Sequence, residues 1–236
     1  MRPIITITFT SVKKKSFLTA TSGNPIIRFM VTGWLVFVAA LRLTFRRIGT
    51  LLLVNVLWWL FVLLLITWPP ATAGLHYVTH RLTRPDKGEQ TTWRHFFAGF
   101  RQYWRASWQV AAPNLIILLV LVVNIGFYVN LSTPGLRLIS VPLFYLLLLW
   151  MGMQLYLFPL LIEQEDKHIP LIFKNAFLLT ARNMGFTLVL GLLLISMILV
   201  ASTLAGPVLL ILISFLAVAK VIATQKMLEQ YWQQAR

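Results

Sequence analysis

The stretch IGTLLLVNVLWWLFVLLLITW, residues 48–68, is an uncharged apolar run of 21 residues. A transmembrane helix needs about 20 such residues, at 1.5 Å of rise each, to cross about 30 Å of hydrocarbon. Pro69 and Pro70 follow the run, and behind them comes a basic, aromatic stretch that extends to Arg105. This order predicts a first membrane span at 48–68, a helix break at the two prolines and then a segment at the membrane surface.

The composition indicates that lipid is the solvent of this chain. Of the 236 residues, 58% are hydrophobic and 11% are charged, and the mean hydropathy is +0.79, whereas soluble domains carry about 25% charged residues. The net charge of +15 would suggest nucleic acid in a soluble protein. Here the basic residues lie between apolar runs, which favours contact with anionic lipid head groups, and we expect no nucleic-acid partner. The absence of cysteine excludes disulfides and thiolate chemistry.

Four further spans are predicted, which gives an all-α, polytopic transmembrane bundle with five core spans and a membrane domain over 48–223. Uncharged runs place them at about 108–130, 138–162, 187–204 and 207–223, the last of which continues past its uncharged run to include Lys220. The last two share one run of 37 uncharged residues, which would measure about 55 Å as a single helix. Ala205-Gly206-Pro207 near its middle is typical of a helix stop followed by a new start. Residues 224–236 are predicted to be a cytoplasmic tail.

The N-terminal residues allow several interpretations. Residues 1–28 are rich in Ser and Thr, include three consecutive lysines and show no helical period, so we expect a disordered, basic extension; whether translation starts at Met1 or Met30 stays open. The apolar segment 29–41 is short for a span. We favour an interfacial helix over 29–47, and the alternatives are a sixth span or the apolar core of a signal peptide.

The distribution of Lys and Arg predicts the orientation. Residues 69–107, residues 163–186 and the C-terminal tail carry six, three and three of them, whereas the short loops on the other side carry Arg137 alone. Cytoplasmic loops are the ones enriched in Lys and Arg, so the long loop 69–107 and the C-terminus are predicted to be cytoplasmic. The basic residues before 48 fit this layout only if 29–41 also crosses.

An aromatic, basic stretch in the long loop predicts an amphipathic helix. Its aromatic residues recur at helical spacing and three arginines fall on one flank: Trp93, Phe96, Phe97, Phe100 and Trp104, with Arg94, Arg101 and Arg105. Large aromatics beside Arg suit a helix in the plane of the membrane interface. A cytoplasmic helix packed against the bundle explains the pattern equally well. Residues 171–184 predict a second helix of this kind.

The chain resembles the YesL-like family of bacterial membrane proteins over roughly residues 40–230. The resemblance rests on five motifs in a fixed order: Asn55-Val-Leu-Trp58, Pro70-Ala-Thr-Ala-Gly-Leu-His-Tyr-Val78, Arg81-Leu82, Phe96-Phe97-Ala-Gly-Phe100 and Lys174-Asn-Ala-Phe-Leu178. Residues 1–40 lie outside it. The family has no established activity and often accompanies carbohydrate-uptake genes, so the resemblance implies a role beside sugar transport in the cytoplasmic membrane.

No residue pattern indicates catalysis, a cofactor or a metal. His76 and His80 are four residues apart, but no nearby carboxylate completes a zinc site, so we expect histidines that point to head groups or water. Glu163, with the acidic residues after it, reads as a solvated loop. The strongest polar groups at membrane depth are amides, which we expect to hydrogen-bond between helices rather than to line a substrate path: Asn55, Asn114, Asn124 and Gln154.

The functional expectation is a non-enzymatic membrane component, auxiliary or regulatory to solute uptake. Its expected partners are the lipid bilayer with anionic head groups and other membrane or transport proteins. The alternative is a membrane subunit of a transporter whose surface helices dock a cytoplasmic partner such as an ATPase. A membrane-embedded enzyme ranks third, because paired acids and histidines are scarce.

Overall fold

The computed structural model describes residues 24–84, 86–88, 90–203 and 209–234. These residues form eleven helices and no strand, which confirms the predicted all-α fold. In chain order the helices are α1 (Pro25–Arg46), α2 (Ile48–Val62), α3 (Trp68–Leu82), α4 (His95–Gln102), α5 (Trp104–Val129), α6 (Pro134–Arg137), α7 (Ser140–Met153), α8 (Leu157–Glu163), α9 (Ile169–Arg182), α10 (Met184–Thr203) and α11 (Leu209–Gln234).

Five segments of the described chain are long and apolar enough to cross a membrane. They are α1, α5, the segment Gly135–Glu163 that contains α7 and α8, α10, and the segment Ile211–Tyr231 of α11. Their outer faces expose large apolar side chains, for example Leu119 at 65% and Leu192 at 66%. Faces of this kind are stable only against lipid. The chain is therefore a membrane-embedded helical bundle.

The N-terminal helix α1 differs from the interfacial helix predicted over 29–47. It begins at Pro25, because the Asn24 side chain accepts a hydrogen bond from the amide of Ile26 at 3.0 Å and Pro25 suits the first helical turn. Its 22 residues extend about 33 Å, and it packs against α10 and α11. These features correspond to the sixth-span alternative. The prediction of disorder over 1–28 is wrong for residues 25–28, which belong to α1; residues 1–23 lie outside the described ones.

The predicted span 48–68 is wrong in its extent. Helix α2 ends at Val62, after 15 residues, and a turn that includes Leu65 at a φ of 49° leads into α3. Pro69 and Pro70 occupy the first turn of α3, where no intrahelical partner for a backbone N–H is required. The two prolines therefore begin a helix instead of breaking one.

The remaining spans lie close to their predicted positions. Helix α5 begins four residues before 108, and the segment predicted at 138–162 is divided into α7 and α8. Helix α10 covers the described residues of the span predicted at 187–204. The proposed turn at 205–207 lies outside the described residues. Helix α11 continues to Gln234, so the described part of the predicted tail is helical, and Lys220 falls inside the last membrane segment.

Contacts between helices define two ends of the bundle. At the first end, the Arg182 guanidinium lies 5.1 Å from the centre of the Tyr231 ring, and the side chain of Gln225 reaches Glu163. We call it the polar end. At the far end, Ser214 Oγ donates to the Leu51 carbonyl oxygen at 2.9 Å. Helix α5 starts next to Tyr103, beside Glu163's partners His80 and Arg84, and its 26 residues extend about 39 Å, which places its connection through α6 to α7 at the far end.

Candidate functional site

The polar end contains a buried polar cluster where α3, α8 and α11 meet. Helix α3 contributes His76 and His80, and Arg84 follows two residues after its last residue. Residues spaced by four lie on one face of a helix, so the sequence turns these three side chains toward the same neighbours. Helix α8 contributes Glu163 at its C-terminus, and α11 contributes Lys220 and Gln225.

Glu163 is the centre of this cluster. Its Oε2 lies 2.5 Å from His80 Nε2 and accepts a hydrogen bond from Gln225 Nε2 at 3.4 Å, while its Oε1 accepts one from Arg84 Nη2 at 3.3 Å. The side chains of Glu163, His80 and Arg84 are 9%, 11% and 25% exposed. One carboxylate therefore joins three segments that are remote in sequence, and the charges compensate one another where water is largely excluded.

This geometry corrects two sequence-based expectations. Glu163 does not belong to a solvated loop; only the acidic residues after it, Glu165 and Asp166, are exposed. His80 does not point to head groups, because the carboxylate that the sequence seemed to lack reaches it from 83 residues away. Among the described residues, no three His, Asp or Glu side chains are grouped as metal ligands.

His76 is buried one turn before His80 and is held as a neutral imidazole. Its Nδ1 lies 2.9 Å from the Thr72 carbonyl oxygen, which can only accept, so Nδ1 carries the proton and Nε2 presents a lone pair. Burial, reinforced by the charge of Lys220, lowers the pKa of His76 to about 3. Its ring stacks on Phe158 at 5.6 Å, and Nε2 has no hydrogen-bond partner among the described residues.

Lys167 closes the end of α8 beside this cluster. Its Nζ donates to the carbonyl oxygens of Leu161 at 2.8 Å and Ile162 at 3.2 Å, and also to that of Gln164. A cation at this position satisfies carbonyls that have no partner in the helix and complements the helix dipole. Burial lowers the pKa of Lys167, an effect that the carboxylates of Glu163 and Glu165 oppose.

The residues predicted at the membrane interface divide into two groups. Trp93, Arg94, Arg101, Trp104 and Arg105 are exposed, and their position at a membrane interface stays a prediction. The phenylalanines face inward, because Phe96, Phe97 and Phe100 all contact the ring of Phe61 in α2 and Phe96 is fully buried. Helix α4 also packs closely on α3. The structure therefore contains the packed helix, which was one of the two interpretations that the sequence allowed.

Of the amides predicted to hydrogen-bond between helices, two do so, one bonds within its own helix and one has no partner among the described residues. Asn114 and Gln154 form a reciprocal pair, in which Asn114 Nδ2 donates to Gln154 Oε1 at 3.0 Å and Gln154 Nε2 donates to Asn114 Oδ1 at 2.8 Å. Asn124 Nδ2 donates to the Val120 carbonyl of its own helix at 2.7 Å. Asn55 is buried and has no hydrogen-bond partner among the described residues.

Sequence reasoning missed Arg84, Lys220 and Gln225 as members of the polar cluster. The spacing of His76, His80 and Arg84 was a usable signal for a shared face. Lys220 was a second signal, since a charge inside an apolar segment needs a protein partner or a wet cavity. Nothing in the sequence, however, links either signal to Glu163.

Comparison with known proteins gives one match. A family model described as "Protein of unknown function, DUF624" matches residues 51–125, less than half of the chain. The chain is therefore similar to that family over α2, α3, α4 and most of α5. No curated protein and no solved structure matches the chain.

Proposed function

We propose that this chain is a non-enzymatic component of the bacterial cytoplasmic membrane that assists or regulates solute uptake by another membrane protein. The observation that carries the proposal is the pairing of Asn114 with Gln154 between α5 and the end of α7. Each amide saturates the other, so both act as interhelical contacts. A substrate path instead needs polar groups that remain available to the solute.

The polar cluster supports the same conclusion. Both oxygens of Glu163 are engaged by His80, Arg84 and Gln225, so its carboxylate is committed to joining helices. His76 is neutral at physiological pH, and no described Asp or Glu forms a hydrogen bond or ion pair with it as a partner in acid–base catalysis would. These groups stabilise a static bundle.

The solute class comes from the resemblance to the YesL-like family. Four of the five motifs that carry this resemblance fall inside the region that the family of unknown function matches, residues 51–125. That overlap supports the kinship, and the kinship points to carbohydrates.

A second candidate is a membrane subunit of a transporter that docks a cytoplasmic partner. The observation in its favour is the basic outer surface at the polar end, where Arg94 before α4, Arg101 of α4 and Lys174 of α9 are all exposed. Such a surface suits an acidic docking partner.

The proposed orientation places the polar end in the cytoplasm. Arg81, Arg84, Lys87 and Lys167 lie there, together with the basic residues on the outside of α4 and α9. The far end carries the arginines around the α1–α2 junction and Arg137. With α2 as a short sixth crossing, both termini and the long loop lie in the cytoplasm.

Uptake and flux measurements test the proposed role. Cells that lack the gene should take up at least one sugar more slowly, and the tagged full-length protein should co-purify in mild detergent with a membrane transport protein for that sugar. Proteoliposomes that contain this chain alone should show no sugar flux above protein-free vesicles.

Two outcomes contradict the proposal. Sugar flux through the chain alone, lost in Asn114→Leu and retained in the lipid-facing control Leu119→Ala, would make it a transporter. Unchanged uptake of every sugar in the deletion strain would remove the link to sugar uptake.

A further inference from the structure

A partly enclosed cavity of about 130 Å³ opens beside the polar cluster. Its walls come from α3 and the turn after it, from the α4–α5 junction and from the end of α8: Tyr77, His80, Arg81, Arg84, Lys87, Tyr103 and Ile162. A single water needs roughly 10–15 Å³ of such space. The cavity therefore has room for a group the size of a tetrahedral oxyanion together with some water.

The walls carry more positive charge than the protein neutralises. Glu163 is the carboxylate at this site, and it is already shared by His80, Arg84 and Gln225. Among the described residues, Arg81 and Lys87 have no carboxylate partner. The cavity thus holds an unbalanced charge next to apolar protein, where an anion is bound more strongly than in water.

Two buried donors in these walls lack an acceptor. The Nε atoms of Arg81 and Arg84 are both buried without a hydrogen-bond partner among the described residues. Buried polar groups are nearly always paired, so each of these two calls for an acceptor that the protein does not supply. Guanidinium groups present their donors in a planar fork that matches phosphate and carboxylate oxygens.

Tyrosine side chains complete the lining. The rings of Tyr77 and Tyr103 lie 6.1 Å apart, and the Tyr103 oxygen accepts a hydrogen bond from Gln102 Nε2 at 3.4 Å, which leaves its own O–H free to donate. Burial raises the pKa of Tyr103, so the phenol stays protonated and remains a donor. The site therefore offers guanidinium, ammonium and hydroxyl donors around one volume.

We propose that this cavity binds a phosphate group, supplied either by a soluble phosphate compound or by the head group of an anionic lipid. Guanidinium, ammonium and hydroxyl donors lie on different walls of this small volume, which suits the tetrahedral oxygens of a phosphate group better than the planar oxygens of a carboxylate. A basic pocket between helices at the membrane surface is also the kind of site that holds lipid head groups. The inference is independent of the uptake role proposed above.

Binding of inorganic phosphate to the full-length protein in a neutral detergent tests the site. Calorimetric titration at constant ionic strength, with chloride as the reference anion, should give saturable binding. Arg81→Gln and Lys87→Gln should each weaken it about tenfold, the effect of losing one charge-assisted contact. Arg101→Gln is the matched control, because it removes an equal charge from the exposed face of α4 and should leave the affinity unchanged.

Lys87→Gln keeps the test valid if Arg81→Gln fails to fold, because Lys87 is exposed.

Nanodiscs identify the source of the phosphate. The thermal midpoint of the protein is compared between discs of phosphatidylcholine and discs of phosphatidylcholine and phosphatidylglycerol in equal parts, with and without added phosphate.

Stabilisation by phosphatidylglycerol that is lost in Arg81→Gln and Lys87→Gln assigns the site to a lipid. Stabilisation by inorganic phosphate alone, with the same losses, assigns it to a soluble compound. The proposal is overturned if neither ligand binds, or if Arg101→Gln weakens binding as much as the cavity variants do.

Discussion

Glu163 is the last residue of helix α8, and its carboxylate follows a run of buried apolar residues. A charge at this position needs partners inside the bundle. Removing a carboxylate from water costs several kcal/mol unless partners compensate. The structure supplies His80 and Arg84 from the end of α3 and Gln225 from α11. Because these partners come from different helices, the carboxylate also fixes the position of α3 relative to α11.

Replacing Glu163 by Gln should destabilise the protein by about 2 kcal/mol. The side chain keeps its size, but Arg84 loses its counter-charge and His80 loses a carboxylate hydrogen-bond partner. The cost stays below the 3–5 kcal/mol of a fully buried pair, because Arg84 is 25% exposed. Unfolding in detergent, followed by tryptophan fluorescence, measures the change. Glu165→Gln, an exposed carboxylate two residues away, should have no measurable effect, and equal midpoints for the two variants would contradict the prediction.

The sequence predicts part of this cluster and misses its centre. A period of four residues places His76, His80 and Arg84 on one face, which follows from helix geometry alone. Their contact with Glu163 depends on how α8 packs against α3, and local sequence does not encode that arrangement. Glu163 is also the first residue of an acidic stretch, and such a stretch in the sequence predicts a solvated loop.

Close packing between α3 and α4 depends on two glycines. A Cβ added at Gly99 would lie 2.5 Å from the Cβ of Tyr77, and one added at Gly74 would lie 2.8 Å from the Phe96 carbonyl oxygen. Both neighbouring atoms belong to the backbone or are bonded directly to it, so they cannot move without moving a helix. The small residues therefore allow α4 to sit on α3 and bury Phe96.

Gly99→Ala should separate α4 from α3 and destabilise the protein by about 1–3 kcal/mol, the usual cost of overpacking. Trypsin should then cleave faster at Arg94 and Arg101, which flank the packed surface. Gly126→Ala is the matched control: nothing lies within 4 Å of the added Cβ, so the better helix propensity of Ala should leave stability equal or slightly higher. Unchanged unfolding and proteolysis in Gly99→Ala would show that α4 is not held by this contact.

At the level of single helices, the local sequence predicts that a helix forms but not what its apolar face contacts or how it is joined to its neighbour. The aromatic period between residues 93 and 104 predicts one helix, whereas the structure has α4 over His95–Gln102 and a break at Tyr103 before α5. The period indicates the apolar face of α4, but not whether that face meets lipid or protein, since both are apolar. The two prolines are ambiguous in the same way. Pro disrupts a helix interior and suits a helix start, and the turn at 63–67 decides in favour of the start.

At the scale of the whole molecule, hydropathy predicts the fold class and a total of five spans. The five spans of the structure differ from the five predicted ones at one place, near the N-terminus. Helix α1 satisfies the length and hydropathy of a span, whereas α2, the first predicted span, has 15 residues and falls short. Arg28 and Arg42 flank the apolar segment 29–41, so its 13 residues are too few for a span by the criterion of an uncharged run. Its helix is longer because it continues through Arg28 and Arg42, whose long side chains can extend toward the head groups.

Single-cysteine labelling tests the resulting topology, because the natural chain has no cysteine and therefore no background. Cysteines replace four exposed residues near the ends of the predicted crossings, Asn24, Gly49, Asp86 and Gly135, and intact spheroplasts are treated with a membrane-impermeant maleimide. If α1 and α2 both cross and the polar end is cytoplasmic, Gly49→Cys and Gly135→Cys should react in intact cells, and Asn24→Cys and Asp86→Cys only after lysis. Reaction of both Asn24→Cys and Gly49→Cys in intact cells would contradict a crossing by α1 and favour the interfacial helix, since the two ends of α1 would then lie on the same side of the membrane. Reaction of Asp86→Cys would refute the orientation itself, because the basic polar end would then face outward against the positive-inside rule.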